Sequence, residues 1–274
     1  MNSISVSLAV AGFVAVVAPV ASQAEMLDDI RERGKVTCGV LNNLEPFGYL
    51  DAATREVIGY EVDLCRDMAA HLGVEADIKV VSSQARMPEL LQGRLDVLVA
   101  LISYSPERAE QVDFSGTYVA DSFQAIAIED SGLETLDDIA GRRVSVIKGS
   151  FLEPLVQKAY PTATVVSFDD ATTTFMAVAQ GRVDATVQRT TQARALQLRL
   201  GENDNTVMLD PPITVQRSGF AIRKGNPAFL AELNAFLAEY EEAGAAQKLF
   251  DRWLGTDSPF DLKRTFVVGS DIAE

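Results

Sequence analysis

Two short stretches of this chain combine residue types that can bind an anion. The first, "LVALISYSPER" (98–108), places the hydroxyl of Ser103 and the guanidinium of Arg108 after a run of branched apolar residues, which is typical of a buried strand. A guanidinium matches the geometry of a carboxylate, and a hydroxyl with nearby backbone N–H groups completes such a site. The second, "VIKGSFLEPL" (146–155), takes a strand through Ser150 into a helix, whose first N–H groups also favour an anion. Each stretch therefore predicts half of a carboxylate site.

The elements that position these residues follow one plan that the chain uses twice. "LQGRLDVLVA" (91–100) is answered by "AQGRVDATVQ" (179–188), and "LDDIRERGKVTCGV" (27–40) is answered in the same order by "LDDIAGRRVSVIKG" (136–149). Each QGR phrase indicates a helix that ends at Gln, a left-handed glycine and then a strand. Helix and strand patterns alternate between the repeats, which predicts α/β architecture with a mostly parallel sheet in each of two lobes. The alternative is that common helix-ending chemistry recurs by convergence.

Composition and missing motifs exclude several function classes. The 274 residues suffice for one large domain or two ordinary ones, and 47% hydrophobic with 23% charged residues is typical of a globular protein. A formal net charge of −15 repels phosphate backbones, so we expect no nucleic-acid partner and a soluble monomer. The sequence has no Walker-type loop, GxGxxG, CxxC or GxSxG motif, and its single histidine, His71, cannot build a triad or a histidine-rich metal site. We expect no cofactor and no metal.

The first 24 residues, "MNSISVSLAVAGFVAVVAPVASQA", indicate export. They contain no charged side chain and have an apolar centre, which predicts a secretory signal cleaved after Ala24, although no Lys or Arg precedes the apolar run. The alternative is an uncleaved anchor, but the apolar run at 6–20 is shorter than the ~20 residues that span a bilayer. An oxidising compartment would allow Cys38 and Cys65 to pair, and two buried free thiols are the open alternative.

Taken together, these motifs resemble a known family over residues 25 to about 255. The resemblance to the periplasmic amino-acid-binding proteins of ABC importers, extracellular solute-binding protein family 3, rests on "GYEVDLCRDMAAHLGV", "RMPELLQGRLDVLVALISYSPERAEQVDFS", "LDDIAGRRVSVIKGS", "GRVDATVQ", "GFAIRKGNP" and "FDRWLG". It implies a type II periplasmic-binding-protein fold, in which two Rossmann-like lobes joined by two hinge strands close on a small ligand. It also implies a periplasmic receptor that delivers an amino acid or related carboxylate to a membrane permease. The implied parts are a signal peptide at 1–24, a first lobe at 25–118 plus 219–274, a second lobe at 119–218, and crossings near Tyr118 to Asp121 and Val215 to Gly219.

The resemblance also assigns binding roles to individual residues. Arg108 matches the arginine that grips the ligand α-carboxylate, and Ser103 matches the hydroxyl residue beside it. The carbonyl of Leu101 matches an acceptor for the α-ammonium. Ser150 and the Phe151 backbone match the second-lobe segment that caps the same carboxylate.

Three positions depart from the family pattern. Leu44 and Ser83 stand where aromatic or bulky apolar residues often flank the ligand side chain, and Arg189 stands where an aspartate usually holds the ammonium. Two unit charges ~4 Å apart interact by about 4 kcal/mol at an effective dielectric constant near 20, so Arg189 would repel an ammonium. Three alternatives stay open: the amine is held elsewhere, the ligand has no amine there, or Arg189 points to solvent. A second guanidinium would suit another anionic group on the ligand, as in a dicarboxylate, an acidic amino acid in a changed pose or a keto acid.

A second function is compatible with the same resemblance. Cyclohexadienyl dehydratases share the fold and would act on prephenate or arogenate with an acid in the cleft. No strongly placed acid or base is visible in the sequence, so we expect a receptor rather than an enzyme.

Overall fold

A computed structural model describes residues 26–273, so the predicted signal peptide at 1–24 lies outside the described residues. The helices are α1 (Met26–Arg33), α2 (Tyr60–Leu72), α3 (Arg86–Leu91), α4 (Pro106–Ala109), α5 (Leu152–Ala159), α6 (Ala171–Ala179), α7 (Thr190–Leu200), α8 (Pro227–Glu242) and α9 (Ala245–Trp253). The strands are β1 (Lys35–Val40), β2 (Asn43–Leu44), β3 (Gly48–Leu50), β4 (Val57–Ile58), β5 (Glu75–Val80), β6 (Val97–Leu98), β7 (Val112–Ile128), β8 (Arg143–Ile147), β9 (Thr164–Phe168), β10 (Ala185–Arg189) and β11 (Thr206–Arg223). Between residues 26 and 273, none of these helices is long and apolar enough to cross a membrane.

One eight-stranded sheet runs through the molecule in the order β5-β1-β6-β11-β7-β10-β8-β9. At its two ends the strands pair in parallel, as the βα repeats predict: β1 with β5 and β6, and β8 with β9 and β10. The long strands β7 and β11 lie between these groups and pair antiparallel with each other. The predicted α/β fold is therefore confirmed.

The two crossing segments expected from the resemblance lie side by side. Within the β7–β11 ladder, Gln216 pairs with Asp121, and Arg217 pairs with Ala120. The ladder has irregularities on both sides of this stretch, one of them between Ser218 and Gly219. A strand pair that is interrupted by bulges bends and twists there more than a regular ladder does.

Separate hydrophobic clusters lie on the two sides of the crossing. The apolar faces of α2 and α8 are both packed into the first cluster, which also holds Val36, Val97 and Phe220. The second cluster packs β7, β8 and β10 against α5, with Val144, Val146, Leu152, Val156 and Val187 in its centre. Each side thus has its own core, as two lobes require. The buried residues on these two helix faces are Val62, Cys65, Met68, Ala69, Leu72, Phe229, Leu233, Phe236 and Leu237.

Turn chemistry ends the helices where the sequence repeats predict. Gly93 and Gly181 of the two QGR phrases have φ angles of 74° and 67°, in the left-handed region that glycine adopts without a Cβ clash. A capping box at Thr135 begins the short turn before β8, where the Asp138 carboxylate accepts from the Thr135 N–H at 2.7 Å. Each glycine turns the chain directly into the strand that leads to the cleft.

Cys38 and Cys65 form a disulfide, which decides between the two alternatives that the sequence left open. Both residues are fully buried, and 27 positions separate them along the chain. The bond links β1 to α2 in the first lobe. It therefore joins the first strand of the sheet to the helix that packs on it.

Residues 256–273 follow α9 as a segment without regular helix or strand, which we call the strap. Thr117 of β7 exchanges two backbone hydrogen bonds with it, accepting from Gly269 at 2.8 Å and donating to Ser270 at 2.9 Å. At its other end, the carbonyl of Phe260 accepts from the side chain of Arg194 on α7 at 3.0 Å. The strap is therefore attached to the first lobe and contacts the second. A cavity of about 770 Å³ separates it from the crossing segments.

Candidate ligand-binding site

Arg108 lies at the end of the short helix α4, just beyond strand β6. Ser105 caps this helix, since its Oγ accepts from the Arg108 N–H at 3.3 Å. The guanidinium turns back and donates from Nη1 to the carbonyl of Ser103 at 2.6 Å. Within residues 26–273, the half-buried Arg108 side chain forms no ion pair with a carboxylate. Burial, together with the positive charge of Arg189, holds the pKa of Arg108 below its ordinary value. A buried and unpaired cation of this kind favours an anionic ligand.

Leu101 adopts a backbone conformation that is uncommon for a branched residue, with a φ angle of 45°. Two groups hold it there, because its N–H donates to the Glu61 carboxylate and to the Tyr118 hydroxyl. Ser103, two residues on, is buried and forms an isolated antiparallel bridge with Ser218 of β11. The loop that carries the predicted carboxylate and ammonium contacts is therefore fixed by α2 and both crossing strands.

Arg86 is a cleft residue that the sequence analysis missed. It begins α3, and its Nη1 donates to the carbonyl of Ala100 and, at 3.5 Å, to that of Leu101. Burial and the nearby Arg108 lower its pKa. One sequence signal could have identified Arg86. A cation at a helix N-terminus interacts unfavourably with the helix dipole, so an arginine at that position indicates a role other than stabilising the helix.

Arg189 points into the molecule, and this excludes the solvent-facing alternative. Its side chain is 16% exposed, its Nη1 lies 3.6 Å from Oδ2 of Asp121, and its guanidinium lies 4.7 Å from the centre of the Phe123 ring. Asp121 is buried and also accepts from the Thr191 hydroxyl at 2.6 Å. Burial raises the pKa of Asp121, and the Arg189 charge opposes that rise. The structure therefore places a carboxylate beside Arg189, although from the crossing strand rather than from the end of β10.

Ser150 and Phe151 form the turn between β8 and α5. The hydroxyl of Ser150 is buried and has no hydrogen-bond partner among the described residues. The Phe151 side chain is 47% exposed and packs edge-on against Phe123 at 5.1 Å between ring centres. An unpartnered hydroxyl beside a helix N-terminus is suited to donate to an anion.

Leu44 and Ser83 lie at the margin of this arrangement. Leu44 ends β2 and is partly buried against the first-lobe core, and the exposed Ser83 lies in the turn before α3. No hydrogen bond in the part of the chain that the structure describes joins either side chain to the arginines. Beside Leu44, Glu45 pairs with Arg199 of α7 at 3.5 Å, so this edge of the first lobe contacts the second.

The structure thus brings together three guanidinium groups, those of Arg86, Arg108 and Arg189. The charges of Arg108 and Arg189 help to lower the pKa of Arg86, and the charge of Arg189 helps to lower that of Arg108. Two buried carboxylates accompany them, Glu61 and Asp121. No cluster of His, Cys, Asp and Glu suited to a metal ion occurs in residues 26–273. The chemistry that this arrangement supports is the binding of a carboxylate-bearing ligand.

Comparison with known proteins identifies the family. The model of bacterial extracellular solute-binding proteins, family 3, matches residues 36–256. The L-cystine-binding protein TcyJ of Escherichia coli K12 is 30% identical over 85% of this chain and 87% of its own. The glutamine-binding protein GlnH of Bacillus subtilis is 28% identical over 86% and 87%. A solved ancestral cationic amino acid solute-binding protein, AncCDT-1, superimposes with a TM-score of 0.71 at 28% identity, covering 84% of this chain and 99% of that one. The resemblance seen in the motifs is confirmed: the chain belongs to the bacterial extracellular solute-binding proteins, family 3.

Proposed function

We propose that this protein is an extracytoplasmic receptor that binds an amino acid or related small carboxylate between its lobes and delivers it to an ABC permease. The observation that carries the proposal is the Arg108 guanidinium, half-buried at the end of β6 and without an ion-pair partner in residues 26–273. Relatives named as binding proteins for cystine, glutamine and arginine support it. The uncharged, apolar segment at 1–24 supports export to the periplasm.

The geometry supports a definite ligand orientation. The α-carboxylate would contact Arg108, with the Ser103 loop on one side and the free hydroxyl of Ser150 on the other. An α-ammonium would be accepted by the Leu101 carbonyl, which already faces a donor from Arg86. These are the roles that the resemblance implies for the same residues.

The positive charge of the cleft favours a second anionic group on the ligand. Arg86 forms no ion pair among the described residues, and Arg189 has only Asp121. A cationic ligand side chain would meet these guanidinium groups, whereas a second carboxylate would be stabilised by them. Among small carboxylates we therefore favour acidic amino acids, dicarboxylates and keto acids.

Closure of the lobes would complete the site. We propose the boundaries 25–118 plus 219–274 for the first lobe and 119–218 for the second, because the two hydrophobic clusters divide at the β7–β11 crossing. Leu101 and Arg108 then belong to one lobe, and Ser150 and Arg189 to the other. A ligand that contacts both lobes stabilises the closed arrangement, which a permease can recognise.

A dehydratase is the second candidate. One solved neighbour, 26% identical, is described as an amino-acid-binding precursor of cyclohexadienyl dehydratase. Of the two buried acids that accompany the arginines, Glu61 is fully covered and lies behind the Leu101 amide, and Asp121 is occupied by Arg189 and the Thr191 hydroxyl. Because a general acid must reach its substrate, this arrangement favours the receptor.

The test is a thermal-shift screen of the protein against amino acids, dicarboxylates, keto acids and prephenate, followed by calorimetric titration of each hit. A ligand at a hundredfold excess over its Kd stabilises the folded state by about 2.7 kcal/mol. We expect Arg108→Ala to weaken binding about 100-fold, because it removes a buried partner of the carboxylate. Arg66→Ala, at an exposed arginine on α2, is the matched control and should bind as the unmodified protein does.

Three results would contradict the proposal. The first is the absence of any stabilising compound in the screen. The second is a hit whose affinity is unchanged in Arg108→Ala. The third is steady turnover of prephenate, followed by absorbance, which would identify the protein as an enzyme.

A further inference from the structure

A buried carboxylate lies directly beneath the ligand-binding loop. Glu61, in the first turn of α2, is fully buried. Its Oε1 accepts from the Leu101 N–H and from the Tyr118 hydroxyl. Its Oε2 is also buried and has no hydrogen-bond partner among residues 26–273.

This distribution of hydrogen bonds suits a group that carries a proton part of the time. Both donors converge on one oxygen, so a proton can bind to Oε2 without breaking either hydrogen bond. The ionised form leaves a buried, uncompensated charge on Oε2, which is costly in a low-dielectric interior. The geometry of Leu101 is thus preserved in both protonation states of Glu61.

Burial, hydrogen bonds and nearby charges together determine which protonation state of Glu61 prevails. Arg86 on α3 and Arg189 at the end of β10 face Glu61 and favour its ionised form, and Tyr118 on β7 donates to it. Tyr60, its neighbour on α2, also interacts with it. Burial raises the pKa of Glu61 to about 7, against the lowering effect of these donors and guanidinium groups. Near neutral pH, the ionised form of Glu61 is therefore supported by the hydrogen bonds from Tyr118 and Leu101 and, in addition, by the two arginines.

An anionic ligand would weaken the support that Arg86 and Arg189 give to the ionised form of Glu61. A second carboxylate that pairs with Arg86 or Arg189 adds negative charge close to Glu61, and the buried pair of like charges is relieved when a proton from solvent binds Oε2. We propose that Glu61 is a proton-binding residue coupled to the cleft, so that the receptor takes up an anionic carboxylate together with a proton. This inference rests on the proposed function and adds that binding of an anionic ligand is coupled to protonation of Glu61.

The experiment measures protons directly. L-Glutamate is titrated into the protein by calorimetry at about pH 8, in phosphate and in Tris, whose ionisation enthalpies differ. We expect uptake of between about half and one proton per ligand, and an affinity that falls by up to about tenfold per pH unit from pH 7 to pH 9. In Glu61→Gln, which mimics the protonated form, both effects should vanish while binding persists. Glu75→Gln, at an exposed glutamate on β5, is the charge-matched control and should behave as the unmodified protein does.

The outcomes separate this inference from the proposed function. Binding of L-glutamate without proton uptake, or with equal uptake in Glu61→Gln, overturns the inference and leaves the receptor intact. Binding of L-glutamine but not of L-glutamate does the same. Failure of every compound in the screen overturns both. Should Glu61→Gln not fold, the ¹³C carboxyl signal of Glu61 in the unmodified protein decides, because it must shift towards the protonated form when L-glutamate is added at pH 8.

Discussion

In the cleft, the positive charge of Arg189 is partly balanced by a neighbouring carboxylate. The arginine at position 189 replaces an acidic residue that the resemblance leads one to expect, yet the structure places Asp121 3.6 Å from its guanidinium. Because Asp121 belongs to a crossing strand, this ion pair joins the end of β10 to the hinge. A repulsion of about 4 kcal/mol between Arg189 and a ligand ammonium is thereby reduced.

Glu61 should make the stability of the ligand-free protein depend on pH. Its folded-state pKa of about 7 lies above the unfolded value of 4.5. Its contribution to stability is therefore fully present below about pH 4.5 and is lost as pH rises through about 7. We expect the unfolding free energy, measured by urea titration, to fall over this interval by about 3 kcal/mol more in the unmodified protein than in Glu61→Gln. Parallel pH profiles of the two proteins would contradict this prediction.

Sequence reasoning predicted some residues of the candidate site and missed others for a physical reason. Arg108 and Ser103 follow a recognisable strand at short spacing, so local pattern suffices for them. Glu61 contacts Leu101 across 40 positions and Tyr118 across 57, and no spacing rule predicts such contacts. The pairing of Asp121 with Arg189 was missed for the same reason.

At the level of elements, the disulfide between β1 and α2 joins parts of the chain that are close in sequence. A crosslink that closes a loop of about 27 residues stabilises a protein by about 3 kcal/mol, chiefly by restricting the unfolded chain. We expect the double variant Cys38→Ala/Cys65→Ala to lose roughly that much unfolding free energy in urea. Reduction of the unmodified protein with dithiothreitol is the control and should lower it similarly. An unchanged urea midpoint in both would mean that the bond contributes nothing.

The repeats predict the βα units well, because hydrophobic period and glycine stops are local signals. They do not predict that β7 and β11 form one long antiparallel ladder, since its register depends on contacts between strands about 80 to 110 positions apart. They also do not predict the strap beyond the last helix. Its hydrogen bonds to Thr117 leave no pattern in the sequence.

For the molecule as a whole, we expect ligand binding to depend on an equilibrium between open and closed lobes. The pair between Glu45 and Arg199 is exposed and spans the two lobes. We expect Arg199→Glu to place two carboxylates face to face and to raise the Kd of the ligand about two- to fivefold, with a smaller effect in Arg199→Gln. The effect should shrink in about 1 M salt, where charges are screened. A Kd in Arg199→Glu that equals the unmodified value at low salt would show that this edge does not take part in closure.

The strap offers a position at which opening and closing of the two lobes can be followed. It is attached to the first lobe at Thr117 and touches the second at Arg194, and between these points the exposed Lys263 borders the cavity beside the crossing segments. Any change in the angle between the lobes alters the surroundings of this side chain. An environment-sensitive dye attached at position 263 therefore converts the receptor into an optical sensor for its own ligand, without altering a residue that the ligand touches.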